Sequence, residues 1–83
     1  MTAGPHPIGK LRWRCRRGMK ELDVLLTRYV EEEYAAAPPA DQAAFRELLE
    51  FQDPLIHAYC LGRERAPTPV LSELIKRITA GRG

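Results

Sequence analysis

Long apolar stretches are missing from this chain. No uninterrupted run exceeds a few residues, far short of the roughly 20 that a membrane-spanning helix needs. The opening residues, Met1-Thr2-Ala3-Gly4-Pro5-His6-Pro7-Ile8-Gly9, hold no apolar core of the kind that directs secretion. Together these absences predict a cytoplasmic protein with no membrane insertion. Cysteine is scarce too: Cys15 and Cys60 stand alone, with no CxxC spacing, and His6 and His57 are far from Cys15 and form no ligand motif with Cys60. That excludes a zinc finger or a dithiol redox motif and leaves two reduced, partly buried thiols as the simplest reading. The six glycines are scattered, so there is no phosphate-cradling loop.

What is present is one small domain's worth of chain. At 83 residues, 45% hydrophobic and 29% charged, the composition is that of a globular domain whose single core is marginal in size. The net charge is only +2, but its distribution is uneven. Residues 1–20 carry Lys10, Arg12, Arg14, Arg16, Arg17 and Lys20 with no acid, whereas residues 21–50 hold eight acids against Arg28 and Arg46. Such polarity implies a basic end and an acidic flank on one surface.

Periodicity and punctuation predict an all-α fold, a compact bundle of five short helices. Residues 1–7, with two prolines and a glycine, read as a flexible lead-in, residues 8–80 as a single helical domain, and residues 81–83 as a frayed tail. A first helix over Ile8–Arg16 places Ile8, Leu11 and Cys15 on one face. Gly18 suits a left-handed cap, where a Cβ would be strained. A second helix over Lys20–Ala36 carries the stripe Leu22, Leu25, Leu26, Tyr29, Val30 and Tyr34, with Glu21 and Asp23 at its positive end. Ala37-Pro38-Pro39 ends it. A third helix over Ala40–Gln52 turns Ala44, Phe45, Leu48, Leu49 and Gln52 inward. Asp53-Pro54 restarts the chain, with Asp53 as a cap and Pro54 at the first helical position. A fourth helix over Pro54–Leu61 offers Leu55, Ile56, Tyr59 and Leu61 to the core, and Gly62 closes it. Thr68-Pro69 repeats the cap-then-proline signal before a fifth helix carrying Leu71, Leu74, Ile75 and Ile78.

No catalytic constellation emerges from these residues. Asp53 and His57 share a helical face at i, i+4, but two ligands make a weak metal site. Ser72 has no neighbouring base in the sequence. Glu31-Glu32-Glu33 lacks a perturbing neighbour, so it reads as a solvated face rather than an acid–base pair. The arginine-rich first helix with Trp13 admits a nucleic-acid reading, a small regulator in which the cations meet phosphates and the indole stacks on a base. The acidic second helix argues against it. The blandest role for Trp13 is a lid on the core; for an arginine cluster with an aromatic, protein binding competes well.

The stretch Arg17-Gly18-Met19-Lys20-Glu21, by local physics a helix junction, resembles the RGxxE signature of the SdhE family of succinate dehydrogenase flavinylation factors. Trp13, Cys15 and Arg16 through Asp23 resemble that family's N-terminal block. Glu31-Glu32-Glu33-Tyr34 resembles the end of its second helix, and Phe45-Arg46-Glu47-Leu48-Leu49-Glu50 followed by Asp53-Pro54-Leu55 resembles its central block. Order and spacing agree from Leu11 to Ile78; Pro38-Pro39 and the tail beyond Ile78 match no family feature. The resemblance implies a five-helix, non-enzymatic assembly factor. Its partner would be the flavoprotein subunit of succinate dehydrogenase, or of fumarate reductase where present, and FAD would be the partner's cofactor, with none held stably here. The partner-binding residues implied are Arg17, Gly18 and Glu21, with Trp13, Arg16, Met19 and Asp23 around them. At an exposed junction off the apolar stripes, Arg17, Gly18 and Glu21 are expected to be dispensable for the core.

Overall fold

A computed structural model describes residues 8–80. Within them the chain forms α1 (Ile8–Arg14), α2 (Lys20–Glu32), a short 3-10 turn (Tyr34–Ala36), α3 (Pro39–Leu48), α4 (Asp53–Cys60) and α5 (Pro69–Ala80). The lead-in and tail expected at 1–7 and 81–83 lie outside the described residues. Helix α5 packs against α2, α3 and α4, and α1 lies on α2. The core they enclose includes Leu22, Leu26, Tyr29, Phe45, Leu48, Ile56, Leu71, Leu74 and Ile78, all buried. Phe45 is the hub of its aromatic part, 4.9 Å from the ring of Tyr29 and 5.7 Å from that of Tyr34, spacings at which aromatic pairs attract beyond simple burial.

The helix ends differ from the sequence expectation where tertiary contacts take over. Helix α2 stops at Glu32 rather than Ala36, with Glu33 leaving helical geometry (φ −129°); Pro38 then holds Ala37 extended (ψ 152°) and ends the 3-10 turn that follows. The 3-10 turn then swings Tyr34 inward, where Arg46 donates to its hydroxyl at 2.8 Å and Gln42 donates to its carbonyl at 2.7 Å. The acidic end of α2 opposes its helix dipole, and it is not simply solvated. Arg28 meets Glu32 at 3.2 Å and Glu33 at 2.9 Å, and Arg12 pairs with Glu31. Arg28 also donates to the Arg77 carbonyl at 3.0 Å, which ties α2 to the end of α5.

Helix α3 runs Pro39–Leu48, not to Gln52, and Gln52 is exposed. Gln52 takes the extended conformation before α4 (ψ 151°), so it rather than Asp53 is the N-cap, and the Asp53 side chain is used elsewhere. Helix α4 is only about two turns long. Ile56 and Tyr59 use up its inward face, which leaves Leu55 and Leu61 exposed instead of buried. It closes in a Schellman motif: Gly62 N–H donates to the Tyr59 carbonyl at 3.1 Å and Arg63 N–H to the Ala58 carbonyl at 2.9 Å, with Gly62 at φ +77°. At α5 the expected cap is present, with Thr68 Oγ1 accepting from Leu71 N–H at 3.2 Å.

Leu48 is fully buried at the C-terminal end of α3. Leu48→Ala is expected to cost about 2–5 kcal/mol, a large share of the stability of so small a domain. A urea titration that leaves the unfolding midpoint unchanged would contradict this packing.

Candidate functional site

The junction between α1 and α2 is built around one guanidinium. Arg17 follows α1, and its side chain is only 14% exposed. Its Nε donates to Asp53 Oδ1 at 2.7 Å, Nη1 to the carbonyls of Leu49 at 2.9 Å and Arg14 at 3.1 Å, and Nη2 to the Phe51 carbonyl at 2.7 Å. The carbonyls of Leu49 and Phe51 lie in the turn where α3 has ended, so they lack helical partners. A planar fork of donors can reach both while holding the Asp53 carboxylate; a lysine cannot. Arg17 is therefore a structural pin between the α1–α2 junction and the α3–α4 turn. This corrects the expectation of a dispensable, exposed arginine, and it explains why Asp53 does not cap α4.

Asp23 completes the frame from the other side. Its carboxylate reaches back from the start of α2 and accepts from Arg17 N–H at 2.8 Å and Gly18 N–H at 3.2 Å. This is the back-reaching half of a capping box, applied to the residues just before the helix, with no side-chain bond from the N-cap Met19. Gly18 sits between at φ +92°, with nothing within 4 Å of where a Cβ would stand. The requirement for glycine here is conformational rather than steric, as the junction argument anticipated.

Of the remaining residues of the predicted site, Trp13, Arg16 and Glu21 are presented outward from this frame. Glu21 is 79% exposed and does not contact Arg17; its neighbour is His57 of α4, whose Nε2 is 3.5 Å from Glu21 Oε1. Arg17 and Glu21 thus face Asp53 and His57 in turn, two i, i+4 pairs set side by side. That pairing was readable in the sequence only as spacing, since nothing there brings α4 to the junction. Arg16 is exposed. Met19 is half-buried against the core. Trp13 is 74% exposed, so it is not a lid on the core; it lines a shallow hollow with Gly9, Arg12 and Arg16.

Much of the basic charge near α1 is met within the domain: Arg12 by Glu31, Arg14 by Glu50 at 2.6 Å and Arg17 by Asp53. Beneath this surface, burial pushes the Cys15 thiol up to about 11 from its ordinary 9.0, outweighing the pull of Arg17. Among the described residues, no group of three or more His, Cys, Asp and Glu side chains is placed to hold a metal ion, and no helix is long and apolar enough to cross a membrane.

A junction braced by side-chain hydrogen bonds on a five-helix bundle marks the class: a small all-α module with an open surface at Gly18. A family model described as the flavinator of succinate dehydrogenase matches residues 9–82, and the chain belongs to that family. It is similar to the FAD assembly factor SdhE of Coxiella burnetii, with 38% identity over 89% of this chain and 90% of the relative. It is also similar to that of Shewanella oneidensis, at 39% identity over 86% and 87%, and to that of Colwellia psychrerythraea, at 41% over 83% and 76%.

Two predictions follow from the geometry. Arg17→Ala strips a mostly buried pin from two carbonyls and a carboxylate, and is expected to cost about 2–4 kcal/mol. Glu21→Ala should stay within about 0.5 kcal/mol of the parent. Equilibrium denaturation of the pair distinguishes the structural half of the motif from the exposed half. Separately, an unfolded thiol ionises near 9.0 and the folded Cys15 near 11. Its contribution to stability is therefore complete below pH 9 and is lost as pH rises through 11. Urea midpoints measured from pH 8 to 11 should fall less steeply in Cys15→Ala than in the parent.

Proposed function

We propose that this protein binds the flavoprotein subunit of succinate dehydrogenase, and of fumarate reductase where present, and promotes covalent attachment of FAD to it. Family membership across residues 9–82 carries this reading. The braced junction supports it, because a surface fixed before binding loses little entropy on docking. The docking face comprises Trp13, Arg16, Gly18, Met19 and Glu21, with Arg17 and Asp23 as the frame that holds it. Gly18, with open space at its missing side chain, lets the partner's backbone approach closely. Glu21 offers an exposed carboxylate to a partner cation.

The protein acts here as a binding partner in the cytoplasm rather than as an enzyme. Joining flavin to a histidine of the partner is chemistry of the cofactor and that histidine. This chain's part is to bind one conformation of the flavoprotein better than others, shifting its population. Holding the reacting groups in line then raises the rate through proximity. A phosphate-binding use of α1 has less behind it, since Arg12, Arg14 and Arg17 are engaged by acids of the same domain.

In cells carrying single variants at matched expression, in-gel flavin fluorescence of the denatured flavoprotein subunit should fall several-fold with Glu21→Ala and further with Gly18→Arg. Glu73→Ala, an exposed change on α5, should leave it at the parent level. Full flavinylation in a Gly18→Arg, Glu21→Ala double variant would refute the docking face.

A further inference from the structure

Between α2 and α4, directly beside Glu21, lies a hollow of about 260 Å³ lined by Lys20, Glu21, Val24, Leu25, His57, Cys60 and Leu61. Five large apolar side chains are exposed among the described residues, and two of them, Val24 at 60% and Leu61 at 41%, line this hollow from opposite helices. Its floor is Leu25, a core residue. On α2, Glu21 and Val24 fall on one helical face; on α4, His57, Cys60 and Leu61 do the same. The groove is thus an apolar slot opening to solvent, with the Glu21–His57 contact on its rim.

We propose that this groove receives a bulky apolar side chain of the flavoprotein subunit, flanked by a basic residue that meets Glu21. The inference rests on the proposed docking reading and extends that face from the α1–α2 junction onto α4. Three observations select the occupant. At about 260 Å³ and open to solvent, the slot is an apolar hollow of a size that one bulky side chain fills. Glu21 belongs to both the docking face and the rim, so a partner seated on one is carried over the other. The rim carboxylate is 79% exposed, with the His57 imidazole 3.5 Å away and the Lys20 ammonium on the same hollow, so a partner's basic group meets Glu21 from its open, solvent side. An apolar pocket ringed by polar groups is the usual anatomy of an interface hot spot.

The test is binding of the purified chain to the purified flavoprotein subunit of succinate dehydrogenase from the same source, measured by titration calorimetry. Val24→Glu and Leu61→Glu place a charge in the slot at exposed positions and should keep the parent's circular dichroism spectrum and melting temperature. Each should weaken binding tenfold or more, whereas Val70→Glu, an equally exposed apolar position on α5, should leave it unchanged. Glu21→Ala and Gly18→Arg run in parallel. If these two weaken binding while Val24→Glu and Leu61→Glu do not, the docking face stands and the groove proposal falls. If none of the four weakens binding, the docking reading itself falls. A homodimer of this chain, seen by sedimentation and dissociated by Val24→Glu with flavoprotein binding intact, would assign the groove to a second copy and overturn the proposal.

Discussion

The guanidinium of Arg17 holds this domain's two halves in register. The chain reverses direction twice near it, once between α1 and α2 and once between α3 and α4. Each reversal exposes backbone groups that a helix would have satisfied. In a larger protein, water or added loops could meet them; here the turns lie against a small core. Arg17 takes the carbonyls of Arg14, Leu49 and Phe51, and Asp53 balances its charge. Asp23 then fixes the backbone N–H groups of Arg17 and Gly18. With these contacts in place, the positions of Gly18, Glu21 and the α2–α4 groove follow as consequences of the frame.

Under the docking face proposed above, the division of labour within Arg17-Gly18-Met19-Lys20-Glu21 has a functional meaning. A binding surface must be both preformed and available, and one residue rarely serves both needs. Arg17 is spent on order, and Glu21, one helical turn later, is left in solvent. Gly18 separates them at a backbone conformation that side chains resist. On the proposed docking reading, loss of partner binding in an Arg17 variant reflects a collapsed frame, not a missing contact.

Charge is arranged with the same economy. The basic first helix and the acidic second helix neutralise one another across their contact through Arg12 and Glu31, while Arg14 reaches Glu50 beside α3. Arg28 relieves the carboxylates crowded at the C-terminal end of α2 and closes onto the end of α5. The exposed pairs of Arg12 and Arg14 contribute little individually, whereas Arg28, only 17% exposed, is held in a partly buried site. Together these pairs meet Arg12, Arg14 and Arg28 within the domain and leave Glu21 to its His57 neighbour.

Much of the architecture was legible in the residues alone. The stripes of α2, α3 and α5 named Leu22, Leu25, Leu26, Tyr29, Phe45, Leu48, Leu71, Leu74 and Ile78 as core, and all are buried. Prolines and glycines marked the junctions after α1 and α4 and the starts of α3, α4 and α5, because a ring without an N–H and a residue without a Cβ impose their limits locally, but neither marks the ends of α2 at Glu32 and α3 at Leu48. The likeness of the Arg17–Asp23 block to a known family was also visible there. What the sequence could not decide was each charged residue's partner. Asp53 is by local rules a helix cap, and became the counter-ion of an arginine 36 positions away. His57 came to Glu21, and Leu61 to Val24, by the packing of α4 beside α2. Short helices turn only one narrow face inward, so the core stripe specifies which side of α4 is buried. Which neighbour its other side meets depends on the angle at which the helices pack, and that angle is settled by long-range contacts no local pattern encodes.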